Sequence, residues 1–413
     1  MTRNRFEEIL RALMYTDKKP PSYKDPFWEI RKLLRAWNDN MAEVFSASWV
    51  SCLDESMTKW VNAYTCPGFM FVPRKPWPFG NEFHTIACGE TGILYALELV
   101  EGKDQPQEVR KEHSELGKTV SLLLRLTKSL WASGKVVVLD SGFCVLQGII
   151  ELKKKGVFAA ALIKKRQYWP KHIDGDRIKS YFDDKLIRYV DALPGRKDGV
   201  PFHIFAMKEP DYCMMLMSTY GTLERSGDNK NRNSGGRTYT FKYPEVIANH
   251  YKYRDSVDSH NARRQSPIAL EETWATDRWP NRIFAYILAT TEVNANLANA
   301  AFGTEKKLLP QLKFRQSLAK ELINNPYRTA ELNKASNIKR SKRIAESLGH
   351  DLVGIPPGMK FSGVRLVKAQ TKYPLRKCEC GKARVRTYCT CSPGTIWCIQ
   401  CFASHVINLE NKD

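Results

Sequence analysis

Apolar residues recur at helical spacing over residues 5–14 and 26–46, where Phe6, Ile9, Leu10 and Leu13 form one stripe and Ile30, Leu33, Leu34 and Trp37 another. This spacing predicts a helical preface. From Trp49 to Val100 the period shortens to that of strands. Phe69-Met-Phe-Val72, Phe83-His-Thr-Ile-Ala87 and Ile93-Leu-Tyr-Ala-Leu-Glu-Leu-Val100 are separated by turns rich in Pro and Gly, such as Pro76-Trp-Pro-Phe-Gly80. An antiparallel meander is expected there. Residues 107–132 return to helical spacing, Val136-Val-Val-Leu139 reads as a fully apolar strand, 143–155 as a helix and Val157-Phe-Ala-Ala-Ala-Leu-Ile163 as a further strand. The order β-β-β-α-β-α-β describes a mixed α/β sheet with helices on its faces.

Polar, Gly-rich sequence over residues 164–240 interrupts this pattern around one strand at Cys213-Met-Met-Leu-Met217, and reads as an insertion ending in the loop from Ser226 to Gly236. A long helix from Asn281 to about Phe302 and another near 308–325 close the core. The expected organisation is therefore a helical segment over 1–48 and a core in two parts, 49–163 and 241–325, split by the insertion. A basic linker over 326–377 and a cysteine-rich domain over 378–413 follow.

Charge adds a partner to this picture. The 413 residues carry 65 Lys and Arg against 44 Asp and Glu, a net charge of +21, which predicts a polyanionic partner, nucleic acid first. The excess is uneven: residues 304–387 hold 20 basic and 6 acidic side chains, +14 of the total. An arm touching phosphates and releasing their counterions accounts for such a run, as does a solvated linker. No stretch approaches the roughly 18 apolar residues of a membrane span, and Met1-Thr-Arg-Asn-Arg-Phe-Glu-Glu lacks the apolar centre of a signal peptide. The chain is expected to stay inside the cell. Six of the 11 cysteines fall between Cys378 and Cys401, a local metal site in a reducing compartment rather than a disulfide framework.

Three aspartates carry the candidate chemistry: Asp54 in Trp49-Val-Ser-Cys-Leu-Asp-Glu-Ser-Met57, Asp140 ending Lys135-Val-Val-Val-Leu-Asp140, and Asp258 in Ser256-Val-Asp-Ser-His-Asn261. Asp54 and Asp140 close apolar strands, so their side chains converge at one sheet edge if the strands are neighbours; Asp258 arrives from a helix start. Hard Mg²⁺ prefers oxygen ligands, and two such ions about 4 Å apart stabilise both the attacking and the leaving oxygen of a phosphodiester. Taken singly, each aspartate also fits a turn or a helix cap. Asp255 could face the same side as Asp258, while Glu55 alternates away from Asp54 along a strand.

Leu53-Asp-Glu-Ser-Met57, Pro73-Arg-Lys-Pro-Trp-Pro-Phe-Gly80, Leu139-Asp-Ser-Gly-Phe143 with Leu152-Lys-Lys-Lys-Gly156, Ser256-Val-Asp-Ser-His-Asn261 and Asp277-Arg-Trp-Pro280 resemble successive blocks of the piggyBac-type DNA transposases, in order and approximate spacing from Arg5 to His405. The resemblance implies a ribonuclease-H-like catalytic core with an inserted β-rich segment, in which Asp54, Asp140 and Asp258 bind two Mg²⁺ ions. It implies cleavage of transposon ends, hairpin formation, and joining to TTAA target sites through a 3′-hydroxyl. It further implies double-stranded DNA as partner, a homodimer, nuclear localisation and a shortened N-terminal dimerisation or DNA-binding region. The sequence departs from the family at Ser141, where Asn is common, at Ser256, where Gly is common, and at Asn261, where many members carry a further acid. A domesticated DNA-binding protein that keeps the fold without the chemistry is the alternative. Within Arg278-Trp279-Pro280 the resemblance places Trp279 on unpaired hairpin bases; an ordinary helix start with Pro in the first turn fits equally.

The tail holds Cys378-Glu-Cys380, Cys389-Thr-Cys391, Cys398-Ile-Gln-Cys401 and His405, seven candidate ligands in 28 residues. So short a segment cannot build a core alone, and Zn²⁺ with four soft or borderline ligands in tetrahedral array supplies the missing folding energy. Two ions need eight ligands, which leaves one position open. The tail resembles the family's cross-braced two-zinc module, which reads transposon ends. Lys339, Arg340, Lys342 and Arg343 in the preceding connector are candidates for phosphate contact and for nuclear import.

Overall fold

A computed structural model describes residues 2–17, 25–102, 111–164, 175–225, 229–234, 236–304, 306–325, 345, 350–371 and 375–410. The chain divides into two compact units, Met1–Arg315 and Gln316–Asp413.

The first unit is built on eight strands, β1 (Val50–Met57), β2 (Glu82–Cys88), β3 (Leu94–Leu99), β4 (Val136–Leu139), β5 (Phe158–Leu162), β6 (Val190–Lys197), β7 (Val200–Lys208) and β8 (Cys213–Ser218). They form one sheet in the order β3-β2-β1-β4-β5-β8-β7-β6. The meander β1-β2-β3 is antiparallel, β4 and β5 run parallel to β1, and the rest pair antiparallel. The first five strands in the order 3-2-1-4-5 make the expected ribonuclease-H-like core. Residues 164–240 do not merely interrupt it: β6, β7 and β8 lengthen the sheet beyond β5, with Leu216 opposite Leu162.

Helices cover the sheet because alternate strand residues present two apolar faces. Leu53, Val137 and Leu139 point to one face and pack on Leu123 of α3 (after α1, Arg3–Ala12, and α2, Trp28–Val44; α3 is Lys118–Leu126) and on Ile149 and Leu152 of α4 (Leu146–Lys154). Val50, Cys52, Val136 and Val138 point to the other. That face is covered by α6 (Glu245–Tyr253) and α7 (Ser256–Arg264), which contribute Tyr253 and Val257, whereas the preceding α5 (Gly175–Asp183) places Phe182 in the cluster of the first face. The short α8 (Leu270–Thr273) leads to the long α9 (Trp279–Phe302), whose Ile283 and Tyr286 join Phe27 and Ile30 of the α2 region over Phe83 and Leu97. α10 (Gln311–Ile323) is tied to α9 by Arg315 on Glu292 at 2.8 Å.

The β3 edge is closed by two side chains. Asn38 of α2 accepts from Leu97 N at 3.0 Å and donates to Leu97 O at 2.9 Å; Asn294 of α9 does the same for Leu94, at 2.9 and 2.7 Å. Each amide mimics the two hydrogen bonds of a neighbouring strand.

Among its described residues the second unit carries three two-stranded ribbons, Leu352–Gly354 with Thr387–Cys389, Met359–Ser362 with Arg365–Lys368, and Arg376–Lys377 with Arg384–Val385. A closing helix α11 (Ile399–Glu410) packs Phe402 and Val406 against Cys389 and Ala345. So small a core needs staples to hold it.

Candidate active site and metal centres

Parallel pairing of β1 and β4 sets Cys52 beside Val138 and Leu53 beside Leu139, so Asp140, the residue after β4, comes level with Asp54. Asp54 itself does not close its strand as expected but sits within β1, which runs on to Met57 paired with β2. Both aspartates alternate to the face that carries Val50, Cys52 and Val138, where α7 packs Val257 on Cys52. Asp258 is the next residue of that helix and lies in its first turn. All three line one cavity of about 510 Å³, together with Arg74, Lys75, Lys164, Arg254, Asp255 and Asn261.

Asp54 is the buried member, 9% exposed, and accepts the Glu55 amide at 2.8 Å. Burial pushes its carboxyl up to about 7, and Asp258 and Asp140 add to the rise while Lys75 opposes it. Two lysines stand against the other carboxylates. Lys75 Nζ lies 3.6 Å from Asp258 and donates to Glu55 O at 3.1 Å; Lys164 Nζ lies 3.7 Å from Asp140. A desolvated carboxylate crowded by two others and fringed by ammonium groups is a site that calls for cations, and its all-oxygen donors fit hard divalent ions. Among the described residues, groups of three or more ligand atoms within 4.8 Å of one another occur in the second unit only, so the three aspartates share a cavity without closing on one point.

Of the competing carboxylates, Glu55 turns away from Asp54 and pairs with Arg74, whereas Asp255 stays in the cavity lining, 3.3 Å from its neighbour Arg254. Asn261 is fixed from behind. Arg264, fully buried, pairs with buried Glu271, donates to Met57 O at 2.8 Å and contacts Asn261 Oδ1 at 3.3 Å, while Asn261 Nδ2 reaches Glu55 O at 3.4 Å. Sequence reading missed this brace, and also Lys75 and Lys164. Neither lysine stands out among 65 basic residues, and only the fold brings them to the carboxylates.

Trp279 departs from the base-stacking reading. It is 5% exposed, edge-on to Phe27 at 5.6 Å between centroids, and its indole N–H donates to Asn81 Oδ1 at 2.6 Å. Pro280 follows in the first turn of α9, so this block is a helix start whose aromatic residue enters the core. Arg278 is engaged as well: it pairs with Glu29 at 2.7 Å and donates to Leu13 O at 2.7 Å, tying the N-terminal segment to α9. Lys339, Arg340, Lys342 and Arg343 lie outside the described residues.

In the second unit the ligand atoms of Cys378, Cys380, Cys398 and Cys401 gather within 4.8 Å of one another, and those of His350, Cys389, Cys391 and His405 form a second such group. His350 fills the position that the sequence left open. Its Nδ1 stands 3.5 Å from Cys389 Sγ, and His405 Nε2 stands 3.1 Å from Cys391 Sγ. Four soft or borderline ligands per group fit tetrahedral Zn²⁺. The groups interleave along the chain, as a cross-brace requires. The amide of Lys382 holds the exposed Cys380 thiol down at about 7, with help from Cys401 and Cys378, which favours the thiolate that a metal needs. A histidine 28 residues ahead of Cys378 has no spacing relation to the cluster, which hid it; its one sequence signal is scarcity, as one of 8 histidines.

Residues 1–296 match the family described as Transposase IS4, a span that holds all three aspartates, and the chain belongs to this family. Among solved structures it resembles piggyBac transposase, seen by cryo-electron microscopy in a synaptic complex with hairpin DNA. The TM-score is 0.59 at 16% sequence identity, over 77% of this chain and 62% of that one. The fold is thus of piggyBac type, and the chain spans about three-fifths of that transposase's length. No curated protein matches the sequence.

Proposed function

We propose that the protein is a DNA transposase of piggyBac type that cleaves and rejoins DNA strands with two Mg²⁺ ions held by Asp54, Asp140 and Asp258. The observation that carries the reading is the parallel register that sets Asp54 beside Asp140, with Asp258 facing them across one cavity. The ions, when bound, supply charge to the attacking and leaving oxygens of a phosphodiester. The chain's own groups do the rest. Asp54 and Asp140 are held at strand spacing by the sheet, α7 presents Asp258, and the ammonium groups of Lys75 and Lys164 offer contacts to non-bridging phosphate oxygens. Chemistry at such a site forms a new P–O bond from water or a 3′-hydroxyl, whose proton passes to solvent, and breaks the P–O3′ bond, the displaced 3′-oxygen taking up a proton from solvent in turn. The substrate is a transposon end flanked by TTAA, opened through a hairpin and joined to a TTAA target by its 3′-hydroxyl. Two copies acting on paired ends, in the nucleus, complete the reading. The second unit, with its two Zn²⁺ centres and basic surroundings, holds the DNA by its phosphates and grooves.

The test is strand cleavage of a pre-nicked, TTAA-flanked hairpin with Mg²⁺ or Mn²⁺, by the intact chain and by Asp140→Ala. Metal-dependent cleavage that vanishes in the variant is expected. Tight DNA binding with no cleavage by either protein overturns the catalytic reading in favour of a retained DNA-binding protein.

A further inference from the structure

With Trp279 in the core, the first unit still carries an aromatic surface, on the short hairpin whose loop lines the aspartate cavity. Met70–Phe71 and Phe79–Gly80 form a two-stranded ribbon with Phe71 opposite Phe79. Their rings stack at 4.7 Å between centroids and 16° between planes; Phe79 in turn stacks on Phe69 at 6.3 Å and 21°. Phe69 packs on the cluster of Phe27, Trp60 and Phe83, so the ladder is anchored at its inner rung. The ribbon's base is fixed as well, because Gly80 has φ +148° and a Cβ there would strike Thr58 O. The outer rung is open: Phe71 is 56% exposed and Phe79 40%. Three aromatic rings held in register with the last one facing water make a rigid stacking platform.

Its position gives the ligand. The loop that joins the two short strands, closed by Val72 N donating to Pro78 O at 2.8 Å, carries Arg74, Lys75 and Pro76 into the lining of the aspartate cavity. Phe71 precedes Arg74 by three residues, a chain reach of at most about 11 Å. Cations at the loop tip and an exposed ring at its root match a nucleotide's two recognisable parts, the phosphate and the π-face of the base. A paired base offers no such face, because its neighbours in the duplex already cover it.

We propose that Phe71, backed by Phe79 and Phe69, stacks on an unpaired base of the DNA flanking the phosphate that the aspartate cavity receives. This rests on the reading of that cavity as a phosphodiester site. The ligand class is a DNA hairpin or single-stranded flank, and the platform selects for opened DNA over intact duplex without reading its sequence.

The test uses the full chain with 2-aminopurine placed in the unpaired tip of a TTAA hairpin, and a fully paired duplex of the same sequence as control. Wild type and Phe71→Trp should quench the probe on binding. Phe71→Ala should leave it bright and bind the hairpin roughly 5- to 150-fold more weakly, the effect of losing one base–aromatic stack, while its affinity for duplex stays within about twofold. An alanine variant that quenches and binds like wild type overturns the proposal, as does an equal loss on hairpin and duplex. A variant that changes from dimer to monomer by light scattering with the probe response intact assigns the platform to a protein interface instead. Wild-type protein that cleaves the hairpin beside an unaffected alanine variant sinks this proposal alone; wild type that binds no DNA removes both it and the reading of the cavity.

Discussion

Replacing Asp54 with Asn should stabilise the protein in the absence of divalent ions, and the size of the gain follows from the site. Asp54 is taken from its ordinary value of 3.8 to about 7, first by burial and then by the charges of Asp258 and Asp140. Between those two pH values the folded state holds a proton that the unfolded state has lost. Stability contributed by the neutral carboxyl is therefore complete below about pH 4, falls as pH rises toward 7, and is gone above it. A displacement of roughly three pH decades corresponds to about 4 kcal/mol. Asparagine is neutral throughout and its Oδ1 can still accept the Glu55 amide. Asp54→Asn should match wild type near pH 4 and exceed it by up to about 4 kcal/mol at pH 8. Urea unfolding without added divalent ions, followed by tryptophan fluorescence, reads the difference in the first unit, because of the ten tryptophans only Trp397 lies in the second. Added Mg²⁺ or Mn²⁺ should then raise wild type more than the variant. A variant no more stable than wild type at pH 8, or a gap that ignores pH, would refute the account of Asp54 as a carboxylate held in place against its own solvation.

His350→Ala should lower zinc content from two ions per chain to one by native mass spectrometry, and a value that stays at two would remove His350 from the ligand set. Glu271→Ala should destabilise the first unit by roughly 3–5 kcal/mol in urea, because it strands the buried Arg264 charge; an effect under about 1 kcal/mol would mean that Met57 O and Asn261 suffice to hold that guanidinium.

The strand core was legible because it rests on local pattern, as was the place of Asp140, but Asp54, expected to end a strand, lies inside one, because β1 keeps pairing with β2 through Ser56 and Met57. Val136-Val-Val-Leu139 is apolar on both faces, as a central parallel strand must be, and the polar residue that ends it falls where the sheet ends. The insertion was less legible. β6 mixes Asp191, Pro194, Gly195, Arg196 and Lys197 into an edge position, so its apolar alternation is weak. The signal that was there is Asp198-Gly199, whose positive φ values of 50° and 79° make the tight turn between β6 and β7. Trp279 marks a different limit. An aromatic residue at a helix start is compatible with core and with surface, and only the packing of Phe27 and the Asn81 acceptor decides. The pairing of cysteines across the second unit depends on long-range closure, which spacing does not encode.

The asparagines that seal β3 have a bearing on how this sheet can change. A strand edge with free amides and carbonyls invites another strand, whether from a second copy or from a misfolded neighbour. At β3 that invitation is withdrawn by Asn38 and Asn294, each bound on both its donor and its acceptor. The opposite flank ends in β6, where Pro194 lacks an amide donor and blunts that edge in its turn. Both edges of the sheet are thus guarded against a further strand, and the central strands that position Asp54 and Asp140 lie away from either edge.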